Sequence, residues 1–174
     1  GSEGLREPQD IPVVGHPEAA LMSACLLGKR FSIVAISRRI TAWYRECVQA
    51  NGLIDRLASI RSLDGPLKDI GHVQDDHGQR LEALCMSAIE GDGADVVSSA
   101  GAPVAGLPRS IKDRLPVPVV DGVSSAVCHA QTLVSLAPAP ARLGSFAPPP
   151  IKPNHGLPEA LARLLPRDGA RAPG

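Results

Sequence analysis

The sequence predicts an α/β protein in which a mostly parallel sheet is flanked by helices. Three observations carry this. Short apolar runs alternate along the chain with helix-like stretches, and the connections are short, which is the order a parallel sheet requires. Hydrophobic residues make up 44% of the 174 residues but aromatic ones only 2%, so the core is built from Ala, Val, Leu and Ile. Twice, a buried-strand pattern ends in a small-residue turn that opens a helix, at Gly93–Leu107 and again at Pro118–Val127. A chain of this length can bury a substantial core.

The N-terminal elements are short. Ile11-Pro12-Val13-Val14-Gly15 reads as a short strand ending in a glycine turn. His16-Pro17-Glu18 then starts a helix, with proline tolerated in the first turn and Glu18 favourable at the positive end of the dipole. That helix runs to Leu27 and stops at Gly28. Phe31–Ile36 is the next buried strand, and Ser37 is placed to cap the helix after it. In that helix Ile40, Trp43, Tyr44, Cys47 and Val48 recur at helical spacing until Asn51-Gly52. Leu57–Leu63 is a weaker strand, and Asp64–Gly78, with its Gly, Pro and Asp, reads as loop. Leu81, Leu84, Cys85, Ala88 and Ile89 form a helical stripe that Gly91-Asp92-Gly93 ends. A strand over Asp95–Ser99, a short helix around Val104–Leu115, a strand over Val117–Val120 and a helix from Ser124 to about Leu136 complete the alternation. Beyond it, Ala137–Pro140 and Ala147–Pro150 are extended spacers, Leu157–Leu165 is a short helix, and Arg167–Gly174 is expected to be a frayed tail.

Bulk composition excludes several functions. Lys+Arg and Asp+Glu both number 18, so net charge gives no reason to expect a nucleic acid or an anionic membrane as partner. No apolar run approaches the roughly 20 residues that span a bilayer. The N-terminus shows no export signal. Four cysteines, at 25, 47, 85 and 128, have neither the paired spacing of a zinc site nor the density of a disulfide scaffold, so a reduced, cytoplasmic protein without a metal is expected.

Strand tips that feed helix N-termini are where open α/β sheets bind small anions, because unpaired backbone N–H groups point there. Ser98-Ser99, polar residues at the end of a buried strand, lie at such a tip; they either face a cleft or satisfy the turn locally. Asp121-Gly122 either contributes to the same cleft or simply turns the chain and caps the next helix. Cys47 and Cys85, on apolar stripes, read as core thiols. Cys128 and His129 are adjacent on a helix, about 100° apart, and so do not face each other as a nucleophile and its base would.

Several blocks occur in a familiar order: Ile11–Gly15 with Glu18-Ala19-Ala20, Leu27–Val34, Asn51-Gly52-Leu53, Gly93–Leu107, Pro118–Val123, and Ile151-Lys152-Pro153 followed by Gly156-Leu157. Together they resemble the aspartate/glutamate/hydantoin racemase superfamily, of the hydantoin-racemase type, over nearly the whole chain. The resemblance implies two similar α/β lobes around a cleft and chemistry without a cofactor. One cysteine from each lobe would remove and return a proton on opposite faces of the substrate, in roles that must exchange for racemisation to run both ways.

The residue-by-residue carry-over is specific. The family's first cysteine falls before Gly1, and its second aligns with Gly101, so no catalytic residue is assigned. A threonine common after the first strand of this lobe is Ala35 here, with the Ser37 hydroxyl nearby. The resemblance gives Ala35, Ser37, Ser99, Gly101, Ala102 and Asp121 as the substrate-binding set. It divides the chain into 1–28 as the remainder of an incomplete first lobe, 29–115 as the second lobe, and 116–174 as the return to the first lobe and a C-terminal tail. The chain is then either a fragment or a naturally shortened relative. It implies an isomerase for a small molecule (a hydantoin, allantoin or an amino acid), impaired or inactive without its thiols, and a homo-oligomer. The alternative is a non-catalytic binding protein for a carboxylate or ureide that kept the cleft.

Overall fold

The computed structural model describes residues 2–7, 9–65, 69, 71–148, 150 and 156–164. In chain order the elements are α1 (Ser2–Arg6), α2 (His16–Leu27), β1 (Phe31–Ala35), α3 (Thr41–Ala50), β2 (Leu57–Ser62), α4 (Val73–Asp92), β3 (Val96–Ala100), α5 (Leu107–Ile111), β4 (Val119–Asp121), α6 (Gly122–Leu136) and α7 (Glu159–Leu164), with single 3-10 turns between some of them. The chain divides into two compact units, Val14–Thr132 and Gly1–Val13 with Leu133–Gly174.

Val14–Thr132 is built on a parallel four-stranded sheet in the order β2-β1-β3-β4. The fold class read from the alternation is therefore the one observed. β1 and β3 are central and buried along their whole length, which is why they read as continuous apolar or small-residue runs. Their alternate side chains serve two separate cores. Phe31, Ile33, Ala35, Val96 and Ala100 pack with Leu21 and Ala24 of α2 and with Tyr44 and Val48 of α3. Val34 and Val97, on the other face, pack with Leu81 and Cys85 of α4 and Leu107 and Ile111 of α5. Each fully buried aliphatic side chain contributes about 1.5–3 kcal/mol, so these two layers hold the sheet chiefly through aliphatic packing, with Phe31 and Tyr44 adding the aromatic surface of the α2–α3 layer.

Polar side chains tie the N-terminal ends of the strands together. Arg56 donates from Nη2 to the carbonyls of Cys25 (3.0 Å) and Gly28 (2.6 Å) and from Nε to that of Lys29 (2.9 Å). It thereby satisfies carbonyls left over at the C-terminus of α2 and places a cation at the negative end of the dipole. Asp95 accepts from the backbone N–H groups of Lys29 and Arg30 (3.0 and 2.9 Å), fixing the turn into β1 against the start of β3. Across β2, Arg61 forms a two-pronged ion pair with Asp92 of α4 at 2.7 and 2.9 Å.

Three expectations are corrected. Ile11–Gly15 forms no strand among the described residues; the Val13 carbonyl instead accepts from Arg6 Nε at 3.0 Å. The stretch read as loop over Asp64–Gly78 already contains the first turns of α4, which starts at Val73, is anchored by that fully buried side chain and carries Asp75 and Asp76 in its favourable first turn. The helix expected around Val104–Leu115 is broken into a 3-10 turn at Ala102–Val104, the short α5 and a second turn at Lys112–Arg114. Gly106, left-handed at φ 81°, separates the first of these from α5. Gln74 of α4 donates to the carbonyls of Pro103 and Ala105 (2.8 and 3.1 Å), holding that break in place.

The compact units are drawn at different residues from the segments 1–28, 29–115 and 116–174. Residues of α2 pack in one core with β1 and β3, and β4 is hydrogen-bonded to β3, so both belong with the sheet. In the other unit, the Arg6 guanidinium stacks 5.3 Å over the Phe146 ring and Arg142 pairs with Asp10 at 3.8 Å. The helix expected at Leu157–Leu165 is α7; Leu165 and the tail Arg167–Gly174 lie outside the described residues, as does 151–155.

Candidate functional site

The strand order reverses at the centre of the sheet: the chain leaves β1 toward β2, then returns to place β3 on the other side of β1. Loops leaving two such strands diverge to opposite faces and open a crevice at the carboxyl ends, which is the general ligand position in open α/β sheets. The residues singled out from the sequence gather here. Ala35 ends β1, fully buried, with Ala100 at the end of β3 as its register partner. Gly101 follows directly, and a Cβ built on it would stand 3.7 Å from Ile36 Cδ1, so the β1 and β3 tips touch.

Each polar side chain at the tips has an identifiable local role. Ser37 accepts from the Arg39 backbone N–H (3.3 Å) and caps the turn Arg38–Ile40, as expected. Ser99, 2% exposed, donates to the Val120 carbonyl at 3.3 Å, which favours the local-satisfaction reading of that residue. Asp121, 4% exposed, accepts from Ser124 N–H at 2.7 Å and from Gly106 N–H at 3.3 Å. One carboxylate thus caps α6 and pins the loop that leaves β3. Ala102 is exposed at the start of the 3-10 turn.

The backbone of Gly101 has φ 117° and ψ 143°, a region open to glycine and strained for any L side chain. Gly122, at the start of α6, is required for a different reason. A Cβ there would come within 2.9 Å of the His16 carbonyl, so the N-termini of α2 and α6 approach in main-chain contact.

Beneath the tips, on the α2–α3 face of the sheet, lies a small pocket of about 20 Å³, partly open to solvent. Apolar walls from Leu21 and Ile33 meet Tyr44, Cys47 and Ser98 there, with His16 at α2's first residue. Sequence reasoning misses Tyr44, which reads simply as a member of α3's apolar stripe. Cys47, expected in the core, is half-buried and faces the pocket. Burial, reinforced by Glu46, pushes its thiol pKa up; burial and then Cys47 do the same to the Tyr44 phenol. Cys85 is a core thiol in full, pushed up to about 12 by burial and then by Glu82. Cys128 is exposed, and its neighbour His129 bonds through Nε2 to Ser23 Oγ of α2 at 3.0 Å. The two do not act as a pair.

The geometry agrees with what the chain resembles. A family model described as Asp/Glu/hydantoin racemase matches residues 1–130. The hydantoin racemase of Paenarthrobacter aurescens is 32% identical over 157 residues, which is 87% of this chain and 64% of that protein. That of Pseudomonas sp. (strain NS671) is 30% identical over 163 residues, 94% of this chain and 66% of that protein. Among solved structures, an allantoin racemase from Klebsiella pneumoniae superposes with a TM-score of 0.82 at 29% identity, covering 90% of this chain and 64% of that one. An allantoin racemase from Pseudomonas fluorescens gives a TM-score of 0.78 at 33% identity, over 90% and 66% of the two chains. The chain spans a little under two thirds of the length of these relatives. With the sheet order, the strand-tip crevice and the sequence blocks all in agreement, this chain belongs to the Asp/Glu/hydantoin racemase family.

Proposed function

We propose that this chain carries one side of a hydantoin- or amino-acid-derivative racemase site, able to bind a small carbonyl compound but lacking the thiol that two-base proton transfer needs from this side. The observation that carries the reading is the meeting of the β1 and β3 tips at a residue with no side chain, Gly101, 3.7 Å from Ile36 as measured from the Cβ it lacks. Two-base racemisation requires a proton carrier on each face of the substrate. A cysteine, with a reference pKa of about 8.5, can serve; Gly101 cannot. Ser99 is no substitute, because its hydroxyl is already donated to Val120 and an unassisted hydroxyl is a poor base near neutral pH. Hydantoin, allantoin or an amino acid is the substrate class, carried over from the relatives, and no cofactor enters the chemistry.

The Gly101 backbone favours a second reading. A loop at φ 117° is shaped for glycine, as it would be in a protein that keeps the crevice for binding a carboxylate or ureide without turnover. One experiment separates the two. The chain is incubated with allantoin or a 5-substituted hydantoin in deuterium oxide, and optical rotation and loss of the ring C–H signal are followed against buffer. Exchange above background without inversion, given only when a first-lobe segment carrying the family's first cysteine is supplied ahead of Gly1 and not by this chain alone, supports the impaired racemase. Saturable binding without either supports the binding protein. Robust inversion that survives thiol alkylation refutes both. Exposed apolar side chains on the helices, among them Leu26 at 85% and Val127 at 54%, support the expectation of a homo-oligomer. No described helix is long and apolar enough to cross a membrane, and the four free cysteines fit a reducing cytoplasm.

A further inference from the structure

The pocket on the α2–α3 face holds two buried hydroxyls that nothing in the fold uses. Ser98 is 3% and Tyr44 4% exposed, and both line the pocket. Ser98 is the register partner of Ile33, whose side chain belongs to the α2–α3 core, so its hydroxyl projects into the same layer. Ser32 and Ser99, the buried serines on either side of the central strand pair, each find a partner: Ser59 at 2.8 Å and the Val120 carbonyl at 3.3 Å. Among the described residues neither Ser98 nor Tyr44 has one, yet no wholly enclosed side-chain oxygen is left unsatisfied. Their oxygens therefore retain access to solvent, and the pocket they both line provides it. Buried hydroxyls without protein partners are rare and are satisfied by water or by a ligand.

We propose that this small, partly open pocket takes the uncharged polar tip of a small molecule, such as the amide group of a carboxamide, held by the Ser98 and Tyr44 hydroxyls. A hydroxyl both donates and accepts, so it matches a group that does the same. Most of the remaining walls, Leu21, Ile33 and the half-buried Cys47 among them, are apolar or weakly polar, and the His16 imidazole completes the lining. An anion fits less well. No lysine or arginine lines the pocket, and the N-terminus of α2 beside it already carries Glu18 in its first turn and lacks one N–H at Pro17. The site adjoins the strand-tip crevice and shares Gly101 with it. It does not depend on the racemase reading, since occupancy is measured without turnover.

The test uses the full chain, acetamide as probe and acetate as its charged counterpart, with backbone amide resonances followed by NMR. Acetamide is expected to give saturable shifts around β3 and α3, weakened about 3- to 10-fold in Ser98→Ala and in Tyr44→Phe, as the loss of one hydrogen bond implies. Acetate is expected to give none. Because neither hydroxyl is bonded within the protein, both variants should melt at or above the parent's temperature. Non-saturating shifts, or shifts unchanged in both variants, would mean that the pocket holds only water. Acetate binding as tightly as acetamide would make it an anion site, and a marked loss of stability in both variants would show that the hydroxyls have internal partners. Any of these three results overturns the proposal.

Discussion

Placing an alanine at Gly101 isolates the effect of backbone shape at the strand tips. The new Cβ would meet Pro103 Cδ at 3.6 Å and Ile36 Cδ1 at 3.7 Å, ordinary contacts that cost nothing. There remains the torsion: φ 117° with ψ 143° is a conformation worth about 1–3 kcal/mol of strain for an L residue. The unfolded chain loses freedom when glycine is replaced, which returns about 0.4–1 kcal/mol. The balance is a destabilisation of about 1–2 kcal/mol, or roughly 2–8 °C in melting temperature for a chain of this size. Far-UV circular dichroism during urea and thermal unfolding reads it directly. Gly78→Ala, in the body of α4 with open space around it, is the control and should gain up to about 1 kcal/mol. If Gly101→Ala proves as stable as the parent, the loop relaxes freely, and its shape does not belong to glycine. Gly101→Cys should carry the same penalty, so a thiol restored there arrives only with a rearranged peptide.

Three further outcomes rest on single interactions. Arg56→Ala removes a cation from three carbonyls at the end of α2 and should cost about 1–3 kcal/mol in urea unfolding, with Arg56→Lys recovering only part, since an ammonium lacks the fork. The Arg61 guanidinium, hydrogen-bonded to Asp92, holds that carboxyl below its ordinary range. Its contribution to stability is therefore complete above the unfolded value of about 3.9 and is lost as pH falls through the lower folded value. Comparing the parent with Asp92→Asn in acid unfolding should show a shallower loss in the variant; identical profiles would refute the link. Iodoacetamide treatment and mass spectrometry should find exposed Cys128 labelled first and Cys85, held at about 12, only on unfolding.

The architecture is legible in the sequence because its signals are local and repeated. The stripe Leu81, Cys85, Ala88 is visible at helical spacing, and these three are, with Val73, the buried residues of α4. Asp121 reads as a potential cap, and it caps α6. Signals that depend on tertiary context are missed. The start of α4 is hidden because Val73 is a lone apolar residue in a polar stretch, and only its burial justifies the helix there. The strand expected at Ile11–Gly15 has the right residues but no neighbour among the described ones to pair with. At the site, the gathering of Ala35, Gly101 and Asp121 at one end of the sheet comes from alternation alone. The positive φ of Gly101 does not, since glycine in a sequence permits a conformation without selecting it. Ser98 stands out as a polar residue in a buried strand, but the Tyr44 hydroxyl that shares its pocket is invisible in an apolar stripe.

Among the described residues, the order of the sheet leaves β2 and β4 with one side each unpaired by another strand. β4 is only three residues long and runs straight into α6, so it offers little to a passing chain. β2 is six residues long and, through Leu57, Ala58 and Ile60, apolar enough to invite a foreign strand. Arg61 sits in that strand with its guanidinium committed to Asp92, so an intruder would have to dock beside a charge that is not free to swing away. The ion pair that fastens β2 to α4 thus also guards the open edge. Neutralising Arg61 should show itself first as turbidity in concentrated or partly unfolded samples, before any change in melting temperature is large enough to notice.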